Sequence, residues 1–190
     1  MYKGGEKLLR KRRNWLQGAS YHIISRGVRR LPIFYDDQDR HTYLAQLKKV
    51  KEGYPFILHS YCLMPNHIHL LLETKFHTPS DIMGLLHTRY AIYFKKRYQF
   101  TGHVFESRFT AKMIDSLPYF LEAGRYIHRN PIEASLPEKI EDPLWCSYYA
   151  YQNDTKNSIV TTKRILDYLG NPTMEEYQEY IEKDLIIVQK

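Results

Sequence analysis

The spacing of apolar and polar positions divides the chain through residue 132 into an ordered series of strands and helices. Tyr21-His22-Ile23-Ile24 reads as a short strand, closed by Ser25-Arg26-Gly27 and followed by an irregular basic loop through Arg29-Arg30. From Asp37 to about Glu52 the period becomes helical. Tyr43, Leu44, Leu47 and Val50 share one face, acids crowd the first turn, and Gly53 stands where the helix would stop. Phe56 to Met64 is a mostly apolar run rich in β-formers, Pro65-Asn66 punctuates it, and His67 to Glu73 resumes as a strand, so the pair predicts a hairpin. Thr78-Pro79-Ser80 opens a long helix to about Tyr98, carrying Ile82, Leu86, Tyr90 and Phe94. Arg108 to Ile114 reads as a further strand. Ser116-Leu117-Pro118 starts a helix that Asn130-Pro131 is expected to end. Beyond residue 132 the pattern loosens. The aromatic segment Trp145–Tyr151 is suited to packing back on the core, and Thr162–Leu169 and Thr173–Ile187 predict two closing helices.

This order implies an α+β sandwich, with a central antiparallel sheet, helices mainly on one face, and a topology related to the split βαβ arrangement. The expected division is a basic N-terminal arm at 1–17, a core domain at 18–150 and a helical C-terminal extension at 151–190.

At 190 residues and 43% apolar content the chain can bury one core without covalent staples. Its formal charge of +7 is unevenly placed. Residues 1–30 hold nine basic side chains and one acid, whereas residues 133–190 hold six against eleven. A strongly acidic partner is therefore the first to consider, and nucleic acid heads that class. Cys62 and Cys146 have neither the number nor the spacing of a disulfide framework or a C-x-x-C metal site, which fits a reducing cytoplasm. The basic stretch Lys7–Arg13 leads into Asn14-Trp15-Leu16-Gln17-Gly18 rather than an apolar run, and no segment approaches the roughly 20 apolar residues of a membrane span.

The chemistry is concentrated in His67-Ile68-His69. On a strand, residues two apart face the same side, so both imidazoles project together as a chelating pair. A third ligand must come from elsewhere, and the amide oxygen of Asn130 suits a hard or borderline cation. Tyr126 lies four residues before Asn130, so one helix face could deliver a nucleophile and a ligand together. Beside a metal acting as Lewis acid, phenolate attack on a phosphodiester exchanges one diester for another and retains the bond energy, so the strand can be rejoined without ATP.

The ordered series Tyr21-His22-Ile23, Ser25-Arg26-Gly27, Ile33-Phe34, Asp39-Arg40, Met64-Pro65-Asn66-His67-Ile68-His69-Leu70, Gly102-His103-Val104-Phe105, Arg108-Phe109, Tyr126-Ile127 and Asn130-Pro131 resembles the single-tyrosine HUH (IS200-like) transposases, and most closely the REP-associated tyrosine transposase branch. Val28 departs from the polar residue, often Asn, that follows Ser-Arg-Gly in that pattern. The resemblance spans about residues 15 to 150. It implies the ferredoxin/RRM-like HUH endonuclease fold and a metal-dependent endonuclease and strand transferase acting on single-stranded DNA beside hairpins. It makes His67, His69 and Asn130 the ligands of Mg²⁺ or Mn²⁺, and Tyr126 the nucleophile that takes the 5′ phosphate. The alternative within the same resemblance is a domesticated protein that binds hairpin DNA without cutting it. Either a monomer or a homodimer is compatible with the sequence.

Arg10, Arg12 and Arg13 of the arm, Arg26, Arg29 and Arg30 after the first strand, and Arg108 are the candidate DNA-contacting residues. Trp15 and Tyr21 are candidates for base stacking, with the core as the competing place for Tyr21.

Overall fold

The computed structural model describes residues 15–136, 142–152 and 159–183; Arg10, Arg12 and Arg13 lie outside the described residues. Four strands, β1 (Ser20–Arg26), β2 (Phe56–Met64), β3 (His67–Thr74) and β4 (Thr110–Ile114), form one antiparallel sheet in the order β2-β3-β1-β4. The long helices are α1 (Asp37–Gly53), α2 (Pro79–Tyr98) and α3 (Leu117–Glu133), followed by α4 (Tyr149–Gln152), α5 (Lys163–Tyr168) and α6 (Met174–Glu182). Side chains cap the long helices. Asp36 accepts from Asp39 N–H at the start of α1, Thr78 and Asp81 form a reciprocal capping box on α2, and Ser116 caps α3.

The register assigns each residue to a face. Ser20, His22, Ile24 and Arg26 share one side with Glu73, Leu71, His69 and His67, while Tyr21, Ile23 and Ser25 share the other with Leu72, Leu70 and Ile68. α2 covers the second side, where His87 Nε2 lies 3.2 Å from Ser25 Oγ, and α1 packs against α2. α3 crosses the first side. A methyl group added at Gly124 would come within 2.9 Å of Ile165 Cδ1 and 3.7 Å of Leu71 Cδ2, so this glycine lets α3 and α5 approach each other closely above the sheet. With both sides covered, Ile68, Leu70, Leu71 and Leu72 are all buried, and β3 reads as a continuous apolar run for that reason. Burying each such side chain is worth about 1.5–3 kcal/mol.

Two expectations are corrected. α3 does not stop at Asn130-Pro131 but continues to Glu133, with Ala134 N–H bonding Asn130 O at 3.1 Å. Proline there removes one donor, and the following turn keeps its bonds. β4 begins at Thr110 rather than Arg108, because the preceding loop turns over the end of β1, where Glu106 N–H donates to Arg26 O. Tyr21 is core, 2% exposed with its hydroxyl accepting from Leu16 N–H, and Trp15 is half-buried against the same core, so neither presents an open stacking surface.

The segment from Asp142 seals the β2 edge. Leu63 N–H donates to Trp145 O and Ser147 N–H to Tyr61 O, so the backbones of Cys62 and Cys146 pair antiparallel while both thiols stay free. Tyr177 of α6 stacks on Tyr151 at 5.1 Å, and its hydroxyl meets His128 Nδ1 at 2.8 Å, so the late helices share the core with α3. Among the described residues, no helix is long and apolar enough to cross a membrane.

Candidate active site

The paired histidines project from the first and third residues of β3 onto the side of the sheet that α3 covers. His67 Nδ1 lies 2.7 Å from Asn66 Oδ1; because that oxygen only accepts, Nδ1 carries the proton and Nε2 keeps its lone pair. His69 Nδ1 lies 3.0 Å from His22 Nε2 on the neighbouring strand. With His69 as donor, its Nε2 is likewise free to act as a ligand. Asn130 donates from Nδ2 to Tyr126 O at 2.8 Å, and its side chain lies beside the His67 imidazole.

Tyr126 stands over this group. Its ring meets His69 edge-on with centroids 5.4 Å apart and His22 at 5.8 Å, yet the residue stays 39% exposed and open to solvent. A single chain thus brings together Tyr126, His67, His69 and Asn130.

Burial keeps the imidazoles neutral. Desolvation is the largest cause throughout, holding His67 below its ordinary 6.5; it pushes His22 down to about 4 with help from Lys112, and His69 down to about 2 with help from His22, His67 and Arg26. Neutral imidazole is the metal-binding form. Among the described residues, no three His, Cys, Asp or Glu side chains converge to hold a metal ion. A cation at this point would therefore rest on two imidazoles and an amide oxygen, with its remaining positions open to substrate oxygens. In such a set the imidazoles favour a transition metal, while the amide and the open positions suit an oxygen-seeking divalent cation.

The cationic candidates border the site. Arg26 pairs with His67 across the β1–β3 ladder, and Arg26, Arg29, Arg30 and Arg108 are all exposed. Arg29 and Arg30 adopt left-handed backbone, with φ of 53° and 59°. Their loop is tied to the hairpin turn, since Asn66 Nδ2 donates to Arg30 O at 3.1 Å and Gly27 N–H to Asn66 O at 2.9 Å. Gly27 is required by close approach, because a Cβ there would fall 2.1 Å from Leu31 O. Asp39 and Arg40 take structural roles. Asp39 is fully buried and accepts from Arg97, Tyr93 and Tyr98 of α2, while the Arg40 guanidinium lies 3.5 Å above the Trp145 ring.

Sequence reasoning gave no role to His22 or Asn66. The strand alternation of β1 was the available signal for His22, but its meeting with His69 depends on β1 pairing with β3, which are not consecutive in the chain.

The family model for IS200-like transposases matches residues 16–130. A comparison with curated proteins finds no match. Among solved structures, the chain resembles a REP-associated tyrosine transposase bound to a REP hairpin, at 15% identity, with 82% of this chain and 90% of that one covered and a TM-score of 0.63. A candidate transposase of Deinococcus radiodurans is similar at 17% identity, covering 70% of this chain and 97% of that one, with a TM-score of 0.44. A tRNA(His) guanylyltransferase of Saccharomyces cerevisiae is similar at 11% identity over 93% of this chain and 81% of that one, with a TM-score of 0.46. With more than half of its length matched by that family model, the chain belongs to the IS200-like transposase family.

Proposed function

We propose that the chain cuts and rejoins single-stranded DNA beside a hairpin through a covalent bond to Tyr126, with Mg²⁺ or Mn²⁺ held by His67, His69 and Asn130. The observation that carries this is the seating of the exposed Tyr126 ring against the His69 and His22 rings within one chain. The hairpin held by the REP-associated tyrosine transposase that shares this fold supports hairpin DNA as the partner.

When bound, the metal supplies Lewis-acid polarisation of the scissile phosphate. The Tyr126 oxygen attacks phosphorus and gives up its proton, the bond from phosphorus to the 3′ oxygen breaks, and that oxygen leaves as a hydroxyl once protonated. The 5′ side stays on the enzyme as a phosphotyrosine diester. A second 3′ hydroxyl reverses the sequence and restores the phenol. Asn130 holds the Tyr126 carbonyl, which keeps nucleophile and ligand on one helical face. Arg26, Arg29, Arg30 and Arg108, with Arg10, Arg12 and Arg13 of the arm, neutralise backbone phosphates, so affinity falls as salt rises.

The test is a labelled hairpin oligonucleotide with a single-stranded flank, incubated with Mn²⁺ or Mg²⁺. An SDS-resistant adduct is expected, lost with EDTA or in Tyr126→Phe, while the native-gel shift survives the substitution. A shift without an adduct under either metal would overturn cleavage and leave a non-cleaving hairpin-binding protein.

A further inference from the structure

The loop between α2 and β4 wraps round the C-terminal end of β1. Val28 N–H donates to Val104 O, Phe105 bridges Gly27, and Glu106 N–H donates to Arg26 O, all before β4 begins at Thr110. A cleft opens on each side of this loop. The first, about 270 Å³, is lined by Ile24, Arg26, Ser107 and Arg108. Its Ile24 and Arg26 stand on the histidine side of the sheet, directly across from His69 and His67. The second, about 610 Å³, lies against α2, with Met83, Gly84, Ala91, Phe105 and Phe109 among its apolar lining and Lys95 and His103 exposed beside them. Glu106, Ser107 and Arg108 line both, so this loop is a wall common to the two clefts.

Size, shape and charge select an occupant. The larger cleft falls within the roughly 300–1,000 Å³ typical of ligand pockets. One wall is flat and aromatic, His87 and Phe105 being stacked with centroids 4.0 Å apart and planes 19° from parallel. Gly84 opens the helix side, for a Cβ there would meet no atom within 4 Å. Three cations, Arg26, Lys95 and Arg108, face one acid, Glu106, and among the described residues none of the three has a carboxylate within ion-pair distance. A planar group attached to an anionic chain matches this arrangement, and Arg26 of the smaller cleft stands directly across the β1–β3 ladder from His67.

We propose that the larger cleft receives an unpaired nucleobase of the strand flanking the scissile phosphate, whose backbone crosses Arg26 and Arg108. The proposal rests on the reading of the Tyr126 site as one that acts on DNA. A base can enter only if it is unstacked, so the cleft favours single-stranded flank over duplex and gives the enzyme a means of selecting sequence at that position.

The test compares full-length wild type, Gly84→Phe and Gly84→Ala on a labelled hairpin with a randomised single-stranded flank and on the same hairpin without one. Gly84→Phe fills the cleft from an exposed helical position. It is expected to reduce the affinity gained from the flank about tenfold and leave the bare hairpin unaffected, and Gly84→Ala should behave as wild type. In wild type, 4-thiothymidine in the flank should crosslink to α2 or to residues 103–109. That measurement decides the matter should Gly84→Phe fail to fold. An undiminished flank effect in Gly84→Phe, or crosslinks mapping elsewhere, overturns the proposal. The two readings separate cleanly. A Tyr126 adduct with a flank effect indifferent to Gly84→Phe removes the cleft alone, whereas a Gly84-sensitive flank effect without an adduct removes cleavage alone.

Discussion

His22 Nε2 stands 3.0 Å from His69 Nδ1, although the residues are 47 positions apart in the chain. They sit diagonally on paired strands, with Leu71 opposite His22 and Ile24 opposite His69. With His22 Nε2 as the acceptor, the proton of His69 lies on Nδ1 and Nε2 is left as the ligand. His22→Phe should therefore weaken Mn²⁺ binding roughly 10–100-fold, the range for loss of an orienting partner, and His22→Gln, which can still accept, should recover part of it. Titration calorimetry on the unreacted protein measures this directly. Wild-type Mn²⁺ affinity in His22→Phe would remove the positioning role.

Asn66 couples the two halves of the site. Its Oδ1 meets His67 Nδ1 at 2.7 Å while its Nδ2 donates to Arg30 O at 3.1 Å, so one side chain sets a ligand and steadies the basic loop. Asn66→Asp keeps the acceptor and loses the donor. It should hold Mn²⁺ as well as wild type and bind hairpin DNA about fivefold more weakly, one hydrogen bond being worth about 1 kcal/mol; its added negative charge acts in the same direction. Asn66→Ala should impair both. Anisotropy with labelled hairpin beside Mn²⁺ titration separates the two effects, and equal losses in Asn66→Asp would show that the two contacts are not independent.

The parts of this arrangement that lie close in sequence were legible from it, and the parts that depend on strand order were not. The His67-Ile68-His69 pair follows from strand alternation alone, and Tyr126 and Asn130 follow from helical spacing, which survives because α3 continues through Pro131. The starts of the three long helices were equally local, each marked by its own capping side chain. His22 escaped notice because only the order β2-β3-β1-β4 makes it a neighbour of His69. Tyr21 was open to two readings because an aromatic at a strand start serves a core or a base equally well, and burial decides for the core. The cleft beside α2 was invisible because it depends on where the 103–109 loop crosses β1.

Asp39 is fully buried, and it holds the start of α1 to α2. Its carboxylate accepts from Arg97 at 2.7 Å, Tyr93 at 2.9 Å and Tyr98 at 2.8 Å, and from Tyr35 N–H. Asp39→Ala leaves Tyr93, Tyr98 and the Tyr35 N–H without this acceptor, and should cost about 3 kcal/mol, the low end for a broken buried ion pair because Arg97 is 30% exposed and keeps its pair with Asp36. Urea unfolding checks the value. The network lies on the face of the sheet opposite Tyr126, so adduct yield per folded molecule should stay at the wild-type level. A selective loss of that yield would mean that Asp39 reaches the site.

His87 makes stability depend on pH. Partly buried on the cleft wall between Ser25 and Phe105, it is pushed by desolvation from its ordinary 6.5 down to about 3. Between those values the unfolded chain binds a proton that the folded chain refuses. The contribution is therefore complete above about pH 6.5 and is lost as the solution becomes more acidic, at up to about 1.4 kcal/mol per pH unit for this one group. His22 is depressed in the same sense, so the wild-type curve combines more than one histidine. The difference between wild type and His87→Gln isolates the effect, because glutamine can keep a hydrogen bond to Ser25 and does not titrate. Urea midpoints measured between about pH 7 and pH 4 should fall less steeply for His87→Gln than for wild type. Parallel curves would mean that His87 takes up its proton without opening the fold, and that the loop across β1 yields to admit the charge.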